Sequence, residues 1–221
     1  MYNSINSQNK ILGKTFFWMF LGLLGSAIVA WYTYSSGIFV DILLNGYFSI
    51  LLILELVAVL LFSFLFRKLS PTTVGILYFV YAMINGVTLS TIFAVYELYS
   101  IIYLFVISAL VFLVLSLIGY KTNKNLNSWG PYITVFLLAG IFLSVINLFI
   151  IKNSGFDLII DWLILALFCG VTIYDINRIK ILESESNINE EKVHIYCAMQ
   201  LYLDFINIFL RILSISGKRK N

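Results

Sequence analysis

Three acidic residues lie inside long apolar stretches of the sequence, where an ionised side chain is costly. They are Glu55, Asp175 and Asp204. A charged group at the centre of a membrane-spanning helix costs about 2.5 to 3.5 kcal/mol on insertion scales, so it needs a partner or a function. A carboxyl group at that depth can hold a proton, form a hydrogen bond between helices, or bind a cation through its oxygen atoms. These residues are therefore the first candidates for chemistry.

Asp175 and Asp204 lie in consecutive apolar stretches, which should form antiparallel helices. Their midpoint falls between residues 189 and 190, in a stretch that predicts a turn followed by a helix, with Asn189 as the N-cap. If both helices reach this turn, each aspartate lies about 14 residues, or about 21 Å, along its helix from it. The spacing therefore allows the two carboxyl groups to meet at the same depth.

Two carboxylates that meet away from water cannot both ionise cheaply, so one proton would be shared between them. With that proton the pair can hold two helices together; when both groups are ionised, they repel each other or bind a cation. This predicts that Asp175 and Asp204 form a pH sensor and cation gate, with both carboxylates as metal ligands. The alternative is that each aspartate pairs with a structural base, such as Arg67, Lys68 or Arg178.

The remaining acidic residues are weaker candidates. Glu55 has two interpretations that the sequence weighs equally, a place on a cation pathway and a structural hydrogen bond. Asp41, Glu97, Asp157 and Asp161 lie near the ends of apolar stretches. We expect these four to be carboxylates solvated at the membrane interface.

The composition of the chain requires a membrane. Of its 221 residues, 61% are hydrophobic and 11% are charged, against roughly 45 to 50% and 25% in a soluble domain. One helical span takes about 20 mostly apolar residues, and the chain supplies seven such stretches. They lie at about residues 15–34, 42–66, 72–96, 100–120, 132–151, 158–176 and 195–213. The sequence predicts an all-α membrane protein with seven transmembrane helices.

The predicted domain organisation is a polar N-terminal segment at residues 1–14, one transmembrane domain at residues 15–214 and a basic tail at residues 215–221. Basic residues favour the cytoplasmic side of a membrane. A cytoplasmic N-terminus would place nine basic residues on that side, whereas the first three opposite loops hold only Lys152. We therefore expect a multi-pass protein of the cell membrane with its N-terminus in the cytoplasm.

The C-terminal tail departs from this rule. Seven complete spans would place four basic residues on the opposite side: Arg211, Lys218, Arg219 and Lys220. Either the early loops fix the orientation, or the last segment enters the membrane and returns on the cytoplasmic side.

Longer motifs surround the two aspartates. Residues 173–180 read IYDINRIK and residues 201–210 read LYLDFINIFL. They resemble the span-six and span-seven motifs of the Bax inhibitor-1 family, also called transmembrane Bax inhibitor motif proteins, and the second motif is the more specific. The resemblance covers most of the chain, including YAMINGVTLSTIF at residues 81–93. It indicates a bacterial-type member.

The resemblance implies a fold in which six helices surround a central, hydrophobic seventh helix. It also implies that Asp175 and Asp204 are a pH-sensing pair and that the protein lets calcium leak across the membrane. An arginine at the end of span two latches the pair in that family. Arg67 matches this position, with Lys68 as the alternative.

We therefore predict a pH-sensitive calcium leak channel that is not an enzyme, has no tightly bound cofactor and carries Ca²⁺ as the transported ion. The expected partners are the lipid bilayer, calcium and another membrane protein, and no nucleic acid, because the basic residues lie in short loops and the tail. A first alternative is a non-catalytic regulator that binds a membrane protein such as a protease. A second is an intramembrane aspartyl protease, since Tyr174-Asp175 is similar to the presenilin arrangement. Against it, Leu201-Tyr202-Leu203 stands where such proteases have Gly-x-Gly.

Overall fold

The computed structural model describes residues 2–66, 68–147, 150, 153–185 and 190–220. Within these ranges the chain is helical and forms no β-strand, and Tyr96 and Arg219 make an isolated β-bridge. The helices are α1 (Tyr2–Ser35), α2 (Ile38–Leu44), α3 (Tyr47–Leu65), α4 (Pro71–Leu89), α5 (Ile92–Val95), α6 (Leu98–Lys121), a short 3-10 helix (Asn127–Trp129), α7 (Gly130–Ile146), α8 (Ser154–Glu185) and α9 (Glu190–Ser216).

Seven segments are long and apolar enough to cross a membrane, which confirms the predicted fold class. They are Ile11–Ser35, Tyr47–Leu65, Pro71–Val95, Leu98–Lys121, Asn127–Ser144, Gly155–Lys180 and Glu191–Ser216. The chain is thus an all-α, multi-pass membrane protein. The arrangement of six helices around the seventh stays a prediction.

The second span begins later than predicted, at Tyr47 rather than near residue 42. Gly46 adopts a left-handed backbone conformation, with φ of +75°, and separates α3 from the short helix α2. Gly37, at φ of +80°, separates α2 from α1 in the same way. A positive φ interrupts a right-handed helix. Glycine adopts it without strain because it has no Cβ atom, so the helix breaks at each of these two glycines. The predicted apolar stretches at residues 15–34 and 42–66 leave a gap that contains Gly37, but Gly46 lies inside the second stretch and its break was not predicted.

The chain divides into two compact units. The first comprises Met1–Glu97, Glu185–Tyr202 and Arg219–Asn221, and the second comprises Leu98–Ser184 and Leu203–Lys218. Helix α9 therefore contributes its first part to one unit and its second part to the other. The predicted domain boundaries, with one transmembrane domain at residues 15–214, stay a prediction.

Close contact between α1 and α4 organises the first unit. A Cβ atom at Gly86 would lie 2.7 Å from the backbone oxygen of Ser26, so the two helix backbones meet there. The Ser26 hydroxyl donates to the Ala82 carbonyl oxygen at 2.8 Å. Ala82 and Gly86 are small residues four positions apart on α4, a spacing that lets two helices approach closely.

Aromatic and small residues organise the second unit. On α6, Phe105 packs edge-on against Phe205 and Phe209 of α9, and Phe112 packs against Phe205 as well. Helix α6 also approaches α8 at Gly119, where a Cβ atom would lie 2.7 Å from the Ile173 carbonyl oxygen. These contacts hold α8 and α9, which carry the candidate aspartates, against the same helix.

The C-terminal tail packs at the C-terminal end of α1. The Lys220 ammonium group donates to the Tyr34 hydroxyl at 3.0 Å and to the Phe93 carbonyl oxygen at 2.7 Å. The Lys220 backbone N–H donates to the Val95 carbonyl oxygen at 2.9 Å. Since α9 is one unbroken helix and the tail meets the end of α1, the structure favours a complete seventh span over a segment that enters and returns.

Gly86→Ala tests the α1–α4 contact. The added methyl group overlaps the Ser26 backbone, which cannot yield as a side chain could, so we expect the free energy of unfolding in detergent to fall by about 1 to 3 kcal/mol. Gly25→Ala is the matched control, because a Cβ atom at Gly25 meets nothing within 4 Å. Equal stability of the two variants would contradict the close approach.

Candidate functional site

Asp175 and Asp204 lie in the second unit, on α8 and α9. Both are buried, with 6% and 3% of their surface exposed. The two carboxyl groups are close enough to interact electrostatically. Helix α8 continues to Glu185 and α9 begins at Glu190, so both helices extend towards the connection as the spacing required. The predicted N-cap, Asn189, lies outside the described residues.

One oxygen of this pair has no partner. Oδ2 of Asp204 is buried and accepts no hydrogen bond from any residue that the structure describes. A buried polar atom without a partner costs about 1 to 3 kcal/mol, and more when it is charged. Burial of the Asp204 carboxyl group therefore costs free energy that no hydrogen bond to Oδ2 from the described residues offsets.

One of the three bases that the sequence offered as partners of the aspartates acts on this pair. Arg178, three residues after Asp175 on α8, acts electrostatically on the Asp175 carboxyl group. The acidic group of Asp204 disfavours a negative charge on Asp175, and the base Arg178 favours it, so the charge of Asp175 depends on both neighbours. The other two bases named from the sequence differ: Arg67 lies outside the described residues, and Lys68 is exposed after α3.

Contacts to the segment after α6 fix the position of α8 next to Asp175. The Asn177 side chain donates to the Thr122 carbonyl oxygen at 2.9 Å and accepts from the Leu126 backbone N–H at 3.2 Å. The Lys180 ammonium group donates to the carbonyl oxygens of Tyr120 and Thr122 at 2.6 and 2.9 Å. Lys180 is thereby committed to the backbone.

Glu55 lies in the first unit and belongs to a hydrogen-bonded chain of side chains. Its Oε2 accepts from the Asn85 amide at 3.2 Å, and the Tyr202 hydroxyl donates to Asn85 Oδ1 at 2.8 Å. The Tyr202 hydroxyl also lies 2.7 Å from the Ser26 hydroxyl. These contacts support the structural interpretation of Glu55. The other carboxyl oxygen, Oε1, is buried with no hydrogen bond to the described part of the chain.

The prediction for Asp161 was wrong. This residue was expected to be a solvated interfacial carboxylate, but only 7% of its surface is exposed. Oδ1 lies 2.5 Å from a guanidinium nitrogen of Arg211, and Oδ2 accepts from the Ser214 hydroxyl at 2.5 Å. The sequence held a signal for this pair, since Asp161 lies seven residues inside α8 and Arg211 lies five residues before the end of α9.

The described residues contain no group of three or more His, Cys, Asp or Glu side chains that could hold a metal ion. Calcium takes six to eight oxygen ligands in a stable site. The two carboxyl groups of Asp175 and Asp204 provide at most four. A cation at this pair would need further oxygen ligands from water or the backbone.

The fold and the buried acidic residues define a class: a multi-pass helical membrane protein whose interior carries ionisable side chains. A sequence model of the family described as inhibitor of apoptosis-promoting Bax1 matches residues 8–221. The chain belongs to this family, the Bax inhibitor-1 family, and the resemblance stated from its motifs is confirmed.

Several individual proteins are similar in sequence to this chain over nearly its whole length. The inner membrane protein YbhL of Escherichia coli (strain K12) is 34% identical over 215 residues, 95% of this chain and 92% of YbhL. An uncharacterised protein of Borreliella burgdorferi is 34% identical over 220 residues, 97% of this chain and 94% of that protein. An uncharacterised protein of Rickettsia prowazekii is 32% identical over 211 residues, 94% and 89% of the two chains.

Tyr202→Phe tests the side-chain network of Glu55. The change removes the hydroxyl that donates to Asn85 and leaves a buried amide oxygen unpaired. We expect the free energy of unfolding in detergent to fall by roughly 0.6 to 1.7 kcal/mol, as for hydrogen bonds between membrane helices. Tyr103→Phe is the control, because the Tyr103 side chain is 54% exposed. The same stability in both variants would refute the network.

Proposed function

We propose that this protein is a pH-sensitive calcium leak channel of the cell membrane, gated by Asp175 and Asp204. The observation that carries the proposal is that two buried carboxyl groups, on helices α8 and α9, lie near enough to act on each other electrostatically. Carboxyl groups are costly at this depth, and one oxygen of the pair gains no hydrogen bond from the described chain. Membership of the Bax inhibitor-1 family is consistent with the activity.

The proposed gate depends on one proton. When the pair holds that proton, a hydrogen bond between the carboxyl groups can join α8 to α9, and the path is closed. When the proton leaves, two negative charges repel each other in a medium that screens them poorly. The helices then separate at this point, so the calcium flux rises with pH.

The same charge supplies the attraction for the ion. Carboxylate oxygens are the ligands that Ca²⁺ prefers, and two of them without a full coordination shell favour passage over tight binding. Arg178 counts against a permanently open site, because its positive charge partly neutralises Asp175. In this proposal the protein performs no catalysis and needs no bound cofactor.

Calcium flux into proteoliposomes, measured across a range of roughly pH 5 to 8, tests the gate. We expect wild-type flux to increase with pH. Asp175→Asn and Asp204→Asn should each remain closed, because an asparagine cannot lose the proton that creates the second charge. At the upper end of the range we expect about tenfold less flux than in wild type, equivalent to about 1.4 kcal/mol.

Asp41→Asn is the matched control, since Asp41 is an exposed aspartate on α2. The double variant Asp175→Asn/Asp204→Asn should leak no less than either single variant, because residues that act as one unit are not additive. A wild-type pH profile in either single variant would refute the aspartate gate.

We propose that the N-terminus is cytoplasmic and that the tail lies on the other side of the membrane. The contacts of Lys220 with the end of α1 support opposite positions for the two ends. A membrane-impermeant thiol reagent should label a cysteine introduced at residue 3 and one introduced at residue 218 from opposite sides of right-side-out vesicles. Labelling of both from one side would contradict this topology.

A regulator that binds another membrane protein is the alternative proposal. Deleting the tail is a poor test of it, because Lys218 and Lys220 donate backbone hydrogen bonds to Ser100 and to the Val95 carbonyl oxygen. Arg219→Gln changes an exposed charge and keeps the backbone. Loss of a partner from native membranes in this variant, with calcium flux intact, would favour the regulator.

A further inference from the structure

The second unit contains a second polar contact between α8 and α9, apart from the aspartate pair. Asp161 on α8 meets both Arg211 and Ser214 on α9, and each of its carboxyl oxygens has one of these partners. The Asp161 side chain is 10% exposed and that of Arg211 is 32% exposed. Nε of Arg211 is buried and makes no hydrogen bond within the described chain.

The position of this contact relative to the aspartate pair follows from the helices. Asp161 lies 14 residues, or about 21 Å, before Asp175 on α8. Arg211 lies seven residues, or about 10 Å, after Asp204 on α9. Because the two helices are antiparallel, both displacements lead away from the α8–α9 connection. The same two helices are therefore joined at two levels, the second nearer the end of α9.

The two levels differ in charge. Asp175 and Asp204 are like groups that repel each other when both are ionised, whereas Asp161 and Arg211 attract each other. The Asp161 carboxyl group is buried and its partner Arg211 is partly exposed, so the pair adds little to stability by its charges alone. Its geometry instead gives α8 and α9 a fixed contact that the loss of a proton from the aspartate pair would not release.

We propose that the cluster of Asp161, Arg211 and Ser214 is a second gate on the calcium path, which must part before an ion that reaches the aspartate pair can leave along α8 and α9. The inference rests on the proposed calcium leak. A guanidinium group on the path repels a divalent cation, and its ion pair with Asp161 closes the gap between the helices. Opening the aspartate pair alone then gives only a small flux.

A reversible cross-link tests this gate in the full-length protein. Asp161→Cys/Ser214→Cys is made in a chain whose native cysteines, Cys169 and Cys197, are replaced by alanine, and a short cleavable bis-thiol reagent joins the two positions. Calcium flux into proteoliposomes is measured at the pH where the parent chain leaks most. We expect cross-linking to lower the flux by about tenfold and cleavage of the linker to restore it. Equal flux before and after cleavage would overturn the second gate.

A charge-neutral variant gives an independent readout. Asp161→Asn/Arg211→Gln removes both charges together, so neither is left buried and unpaired. At the pH where wild type leaks most, so that the aspartate pair is open, we expect about fivefold more flux than in wild type. Unchanged flux would overturn the second gate.

The two proposals fail in different ways. Absence of wild-type flux at every pH would remove the calcium leak and the second gate together. A pH-dependent wild-type flux that ignores the cross-link would remove only the second gate. Asp41→Asn again controls for the loss of an acidic residue.

Discussion

The cost of placing polar groups where water is excluded governs this structure. Each carboxyl group within the spans must find a hydrogen bond, an opposite charge or a proton. Glu55 accepts from Asn85, and Asp161 is neutralised by Arg211 and bonded to Ser214. Asp175 and Asp204 instead act on each other electrostatically, and an oxygen of Asp204 has no hydrogen bond from the described residues. Glu55 also keeps one buried oxygen without a hydrogen bond from the described residues, so we assign the function to Asp175 and Asp204 because two acidic groups interact there, and not because of the unpaired oxygen alone.

Helix α9 supplies a residue to each of these groups of interacting side chains. Its first part brings Tyr202 into the network of Glu55, and its second part carries Asp204, Arg211 and Ser214 towards α8. Within the second unit, α9 therefore supplies one member of the acidic pair and one member of the ion pair. Only the acidic pair changes its interaction from attraction to repulsion when a proton leaves. In the proposed gate, loss of a proton from the acidic pair therefore changes how α8 and α9 meet at that point, and the ion pair of Asp161 and Arg211 has to part separately.

The fold class followed from composition, because stretches of about 20 apolar residues have few alternatives to membrane helices. The sequence placed Asp175 and Asp204 on neighbouring helices from their spacing, and the two do act on each other electrostatically; that they meet at one depth stays a prediction. The break at Gly46 was missed, because a glycine within an apolar stretch does not reveal its backbone angle. The partner of Asp161 was missed because Arg211 is 50 residues away and was assigned to the orientation signal of the tail.

Difference infrared spectroscopy of the reconstituted protein measures the shared proton directly. A protonated carboxyl group absorbs at a frequency distinct from that of a carboxylate. The account predicts that in the wild-type protein the protonated band gives way to a carboxylate band over the same pH range in which the calcium flux rises, and that Asp175→Asn and Asp204→Asn each move this conversion to a different pH. A conversion at the same pH in wild type and in both variants, or no conversion in wild type throughout the titration, would contradict a proton shared by the two aspartates.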